Sequence, residues 1–349
     1  MTGELVLLTG GTGFLGHAIL IDLLKSGYRV RVAARSQAKV DAVRSTPSVI
    51  ALDHPEPQLM FEIIPDMTAN GAYDNAVQGV DYIVHAAAPL PDWGVEKDQL
   101  EKALVTASIN GSMGILESAH AKGKTVKRIV MTSSTVAIAP AAVYTTDTTG
   151  SEALRGPNDR VDIPAPPYDS PLQAYCVGKA AALKASETFI TDNTPSFDLI
   201  SIMPSFIFGK DEFVTGTKNI RTESTKALIN GLFGNQGTAG VGNAVLNTDV
   251  ARAHVRALDP QVEGNQSFVM SVDAQWEDTI SIAKKHFPSA FKSGFFKEGS
   301  SQPTIPIRWD SSKVLDVLGI ELASYDAMVK EVLGQYLELA KKEGIYNEA

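Results

Sequence analysis

The chain predicts an α/β fold built on a doubly wound parallel sheet, and three observations carry that prediction. Short apolar runs alternate with helical patterns through the first half of the sequence. Enough chain separates successive runs for helical crossovers, the connection that parallel strands need. A glycine-rich turn, Gly10 to Gly16, joins the first run directly to the first helical pattern. At 349 residues the chain exceeds one domain of about 150 residues, so a second domain or an added lobe is expected beside the sheet.

The elements follow in order. Leu5–Thr9 (LVLLT) is a continuous apolar run and reads as a buried strand. Phe14–Lys25 has helical apolar spacing and ends before Gly27. Arg29–Ala34, Phe61–Ile64 and Asp81–Ala86 read as strands, and Val95 to Lys122 as one long helical stretch. Arg128–Thr132 is a further buried strand. The uncharged stretch Ile129 to Thr146 approaches the length of a membrane span, but Thr132, Ser133, Ser134, Thr135 and Pro140 make it a strand followed by a loop. Helical patterns at Leu172–Phe189 and Val250–Leu258 flank a strand at Asp198–Met203. The tail, Ser311 to Glu343, is helical with a break near Gly319. Arg155–Pro171, with five prolines, and Gly231–Gly242, with five glycines, read as loops because helical patterns resume soon after each.

Composition excludes several functions. There are 31 basic and 40 acidic residues, a net charge of −9, which argues against nucleic acid or an anionic membrane as partner. The one cysteine, Cys176, cannot form an intrachain disulfide. The start, MTGELVLLTGG, has no basic region ahead of its apolar run, so no signal peptide is expected and the protein reads as cytoplasmic. His17, His54, His85, His120, His254 and His286 show no metal-ligand spacing, so no metal is expected.

The turn Thr9-Gly10-Gly11-Thr12-Gly13-Phe14-Leu15-Gly16 fits two dinucleotide patterns: Gly11, Gly13 and Gly16 give GxGxxG, and Gly10, Gly13 and Gly16 give GxxGxxG. Glycine lets backbone approach a pyrophosphate, and the helix N-terminus supplies free N–H donors. Sites for NAD place an acid at the end of the second strand. Here that position reads Ala33-Ala34-Arg35-Ser36, with Lys39 one turn on. Arg35 and Lys39 suit the 2′-phosphate of NADP, which a carboxylate would repel. Tyr175 and Lys179 lie four residues apart, on one face of a helix. A nearby ammonium is expected to pull the phenol pKa toward neutrality and suit it to proton exchange with a carbonyl or alcohol oxygen. Ser134, at the C-terminal end of a parallel strand, is placed to hold that oxygen.

The motifs TGGTGFLG, ARS at Ala34–Ser36, TSS at Thr132–Ser134 and YCVGK at Tyr175–Lys179 occur in the order and spacing of the extended short-chain dehydrogenase/reductases. The chain resembles their dihydroflavonol reductase, cinnamoyl-CoA reductase and fungal aldehyde/ketone reductase branch. It is most similar there to fungal and yeast NADPH-dependent carbonyl reductases. Matching stretches include Pro65-Asp66-Met67, GAYDNAVQGVDYIVHAAAP, INGSMGILESA around Asn110, MPSFIFG at Pro204 and DVARAHVRAL from Asp249. The resemblance implies a Rossmann-type domain with a smaller, mostly helical C-terminal substrate lobe. In it residues 1–204 and 243–272 bind NADP(H), and residues 205–242 and 273–349 bind substrate.

The same resemblance implies roles. Tyr175 is the proton donor, Lys179 holds the nicotinamide ribose and lowers the tyrosine pKa, Ser134 orients the carbonyl, and Asn110 supports a water-linked relay. Gly10, Thr12, Gly13, Phe14, Leu15 and Gly16 form the cofactor loop. Asp66 and Met67 bracket adenine, Ala86, Ala87 and Ala88 let the cofactor pass the fourth strand, and Pro204 and Ile207 lie against nicotinamide. Ser224 either touches the cofactor or caps a helix. Ala137–Tyr144 departs from the plant dihydroflavonol reductases in lacking their polar ring-reading residues. The apolar Pro89, Trp93, Tyr168, Phe206, Phe208, Phe213 and Phe233 fit a hydrophobic ketone or aldehyde instead. A nucleotide-sugar epimerase or dehydratase and a non-catalytic NADP sensor share the glycine loop and stand as alternatives. Monomer and homodimer both fit.

Overall fold

The run Leu5–Thr9 forms a strand, β1, buried at every position. A strand apolar on both faces belongs in a parallel sheet covered by helices on each side. The structure, a computed structural model, describes residues 3–52, 58–88, 94–144, 152–220, 225–235, 237, 239–299 and 302–347. After β1 come, in chain order, β2 (Arg29–Ala34), β3 (Leu59–Ile63), β4 (Tyr82–His85), β5 (Arg128–Thr132), β6 (Asp198–Pro204), β7 (Phe206–Phe208), β8 (Asn243–Leu246) and β9 (Gln266–Met270). Seven of them make one parallel sheet in the order β9-β6-β5-β4-β1-β2-β3. Strand order reverses between β1 and β4, and ligands of such sheets bind outside the carboxyl ends of the strands at that crevice. The fold class is therefore the one the sequence predicts.

The helices that matter for the site are α1 (Phe14–Lys25), α2 (Gln37–Arg44), α3 (Ala107–Lys122), α4 (Pro171–Asn193), α5 (Asn247–Arg256), α6 (Thr279–His286) and α7 (Tyr325–Lys342). Helix α1 stops because Gly27 takes φ +84°, letting the N–H groups of Gly27 and Tyr28 return to the carbonyls of Leu24 and Leu23. Its inner face, Ile19, Leu20 and Leu23, shares a core with Val250 and Ala253 of α5. Helix α4 starts where Ser170 Oγ accepts the Gln173 N–H at 3.2 Å, with Pro171 in the first turn. The break expected near Gly319 is present: that residue, at φ +66°, ends the helix Ser312–Leu318.

The stretch from Val95 to Lys122 is not one regular helix. A π-helical segment, Glu101–Thr106, precedes α3. At this segment Gly178 of α4 comes so close that a Cβ would stand 2.6 Å from the Leu104 carbonyl oxygen. Tertiary packing between the two helices decides the local geometry here, and apolar spacing does not report it.

A second core gathers Phe208, Trp276, Tyr325, Met328, Val332 and Tyr336 around α7. Strand β8 lies between the two cores, with Val245 facing the first and Ala244 and Leu246 the second. It pairs in parallel with β7 and antiparallel with Val272–Asp273. At the amino ends of the large sheet, Arg128 makes a two-pronged pair with Asp198, at 2.6 and 2.9 Å, and also donates to the carbonyls of Ala257, Asp259 and Val262.

Candidate active site

The glycine turn sits at the carboxyl end of β1. Gly10 has φ +76°, and a Cβ there would lie 2.7 Å from both the Ala86 carbonyl carbon and the Ala87 nitrogen. A Cβ on Gly16 would reach within 2.0 Å of the Gly10 oxygen. The Gly13 N–H donates to that same oxygen at 3.0 Å. Gly10, Gly13 and Gly16 thus make the turn, so the GxxGxxG reading describes the geometry. Gly13 itself is exposed, and the nearest atom to a Cβ there would be 3.5 Å away. It is the N-cap of α1 with no side-chain cap, which leaves the first-turn N–H groups free for an anion. An open backbone beside unpaired donors fits a dinucleotide pyrophosphate.

At the end of β2, Arg35 and Lys39 are both exposed, and neither makes an ion pair among the described residues. The charge of Arg35 reaches Asp66 and Tyr73. Asp66 Oδ1 accepts from the Thr68 hydroxyl at 2.6 Å and the Thr68 N–H at 2.9 Å. These bonds, with Arg35 nearby, hold its carboxyl below the usual range. Met67 is half-buried and packs on the core beneath this end.

Tyr175 and Lys179 project one turn apart from α4, opposite the end of β5. Ser134 caps the turn Thr135–Ala137 by accepting the Val136 N–H at 3.3 Å, and its hydroxyl donates weakly to Pro204 O at 3.4 Å. The Ser134 hydroxyl lies close enough to the Tyr175 phenol to offset part of the upward push of burial. Burial pushes Tyr175 up to about 12 and Lys179 down to about 8. The expected downward pull of the ammonium on the phenol is therefore not seen. Each charged form loses more by leaving water than it gains from its neighbour.

Behind Lys179 lies a cavity lined by hydroxyls, including Ser108, Ser112, Thr132 and Ser133, and by His85. Asn110 does not reach it. Its side chain is exposed, because the helical phase of α3 turns Ser108, Gly111 and Ser112 inward and carries residue 110 outward. The water-linked relay assigned to Asn110 has no side-chain support in this geometry.

The aromatic residues proposed for a substrate pocket divide. Phe208 is fully buried against Trp276, and Phe233 packs against Phe295, Phe296 and Tyr336. Tyr168 is buried beside Leu100 and Leu104. Phe213 stands edge-on to His17 at 4.9 Å, over α1. Phe208 and Tyr168 are packing residues, because their rings are buried, whereas Phe213 and Phe233 are half-buried against their neighbours. Phe206 is exposed at 43 % and touches Trp276 on one edge, so it keeps a face open. Pro89, Trp93 and Ser224 lie outside the described residues. Pro204 sits beside Ser134, and Ile207 follows on β7 against the first core.

Sequence reading passed over two pairs. His85 Nδ1 is 2.9 Å from Thr9 Oγ1, and His254 Nε2 is 2.7 Å from Thr132 Oγ1. Both histidines are buried and pushed down to about 4 by loss of solvent. In the sequence His85 stands in an apolar run and His254 between two arginines, and both read as ordinary structural residues. Among the described residues there is no cluster suited to a metal ion, and no helix long and apolar enough to cross a membrane.

Residues 6–271 match the NAD dependent epimerase/dehydratase family. A ketoreductase of Cercospora nicotianae, CTB6, is 35% identical over 356 residues, covering 98% of both chains. An NAD-dependent epimerase/dehydratase of Alternaria alternata, ALT6, is 32% identical, covering 97% of this chain and 99% of its own. Among solved structures, Gre2 of Candida albicans in complex with NADPH superposes with a TM-score of 0.80 at 23% identity, covering 96% of this chain and 99% of its own.

Proposed function

The chain belongs to the NAD-dependent epimerase/dehydratase family as an NAD(P)-dependent oxidoreductase, and we propose that it is an NADPH-dependent carbonyl reductase for hydrophobic ketones or aldehydes. The observation that carries the proposal is the position of Tyr175 beside Ser134, with Lys179 one helical turn on and lining the cavity with Thr132 and Ser133 at the carboxyl end of β5. The names of the relatives support it: one is a ketoreductase, and Gre2 was solved with NADPH. Arg35 and Lys39, exposed where an NAD site would carry an acid, favour NADP(H) over NAD.

When bound, NADPH supplies a hydride to the carbonyl carbon. The chain itself handles the oxygen. With its pKa near 12, Tyr175 holds its proton at neutral pH and delivers it as negative charge develops on that oxygen. Ser134 turns its hydroxyl from the long bond with Pro204 O to the substrate oxygen. Lys179, with no hydrogen bond among the described residues, is free to take a ribose hydroxyl and to support the phenolate. Phe206 offers an apolar face to the substrate. Residues 1–204 and 243–272 serve the cofactor and residues 205–242 and 273–349 the substrate, with β8 shared between the two cores.

The test is NADPH oxidation over a panel of aromatic aldehydes, β-keto esters, α-diketones and dihydroflavonols. Consumption that depends on an added apolar carbonyl supports the proposal. Tightly held NAD with no consumption of external NADPH overturns it.

A further inference from the structure

His85 ends β4 and is 3 % exposed. Its Nδ1 lies 2.9 Å from Thr9 Oγ1, and the Ala87 N–H donates to that same oxygen at 3.1 Å. A hydroxyl that accepts from an amide keeps its own proton to give, so Thr9 donates to Nδ1. The ring proton then sits on Nε2, and His85 lines a cavity together with Gly111 of α3. Tyr73 packs edge-on against the ring, with centroids 6.2 Å apart and planes at 86°. Burial and the nearby Lys179 keep the ring neutral at working pH, so this tautomer persists.

The ring is fastened where two cofactor segments touch. Gly10 meets Ala86 and Ala87 with no space for a Cβ between them. Ala87 therefore cannot move toward the glycine turn without displacing it. Thr9 immediately precedes that turn, and His85 immediately precedes Ala86. The chain His85–Thr9–Ala87 thus fixes the distance between the two backbones that would flank the dinucleotide. A phenyl ring would fill the same volume but leave the Thr9 hydroxyl buried without an acceptor.

Resting on the proposed NADPH site, we propose that His85 is a positioning residue for the cofactor: through Thr9 it holds the Ala86–Ala88 backbone in register with the glycine turn. Its effect falls on NADPH affinity, and the proton-transfer groups are left as they are.

The test is NADPH titration of the full chain by nicotinamide fluorescence, with steady-state kinetics beside it. His85→Phe is expected to weaken NADPH binding roughly tenfold, with kcat at saturating NADPH and the carbonyl KM within about threefold of the parent. His85→Asn, whose amide oxygen can replace Nδ1 toward Thr9, is expected to keep affinity within about threefold. Thr9→Val is expected to match His85→Phe, and the double variant to lose little more than either. Parent-like affinity in His85→Phe, an equal loss in His85→Asn, or a loss confined to kcat overturns the inference. Should His85→Phe fail to fold, Thr9→Val decides: parent-like NADPH binding in it overturns the inference. A parent protein that binds no NADPH overturns the cofactor reading itself, a result separate from these.

Discussion

The two ends of the central sheet treat buried charge in opposite ways. At the amino end every N–H of Arg128 has an acceptor: two on Asp198 and three backbone carbonyls. At the carboxyl end Lys179 is half-buried on α4 with no hydrogen bond among the described residues, and loss of solvent pushes it down to about 8. A charge whose donors are all satisfied is locked into the fold. One buried with its donors open is costly, and the cost is offset when a ligand supplies acceptors. The same contrast holds for the backbone. The last turn of α1 is closed by a glycine motif, whereas its first turn faces open space.

Substitution at each end should separate the two uses. Lys179→Met removes an unpaired, half-buried charge, so urea unfolding is expected to show unchanged or higher stability while kcat/KM falls by about a thousandfold. A parallel loss of stability would contradict the contrast. Arg128→Met leaves the Asp198 carboxylate without its partner and is expected to cost about 3–5 kcal/mol. The same variant, measured where it remains folded, should keep the parent KM for NADPH.

Much of this comparison was legible in the sequence, and the remainder has physical reasons for being hidden. Continuous apolar runs such as Leu5–Thr9 and Arg128–Thr132 mark buried parallel strands, and the spacing of Tyr175 and Lys179 puts them on one helical face. Apolar content alone cannot tell a pocket wall from a core: Phe208 reads as pocket in the sequence but is fully buried against Trp276. The inward face of α3 depends on how Gly178 admits the Leu104 carbonyl, so the outward turn of Asn110 was hidden. Thr9 and His85 are 76 residues apart and meet only because β1 and β4 pair.

Two smaller effects sharpen the account. Arg35→Ser is expected to weaken NADPH binding by about ten- to a hundredfold and leave NADH binding within about threefold, read by parallel titrations. Equal losses for both cofactors would remove the 2′-phosphate from its role. The second effect is of pH. His85 and His254, held near 4 in the fold against 6.5 unfolded, take up protons more readily in the unfolded chain. Their contribution is complete above about 6.5 and is lost as pH falls toward 4. The slope is at most about 1.4 kcal/mol per pH unit for each histidine. Urea midpoints between pH 7 and 4 should show this decline, and should flatten in a His254→Phe variant by about half.

The most direct measurement is carbonyl-dependent NADPH oxidation by the parent and by Tyr175→Phe, with NADPH binding titrated in both. The parent is expected to turn over an apolar ketone or aldehyde. The variant is expected to bind NADPH equally well and to lose about a hundred- to ten-thousandfold in kcat. Full turnover by Tyr175→Phe would contradict the proton-donor role.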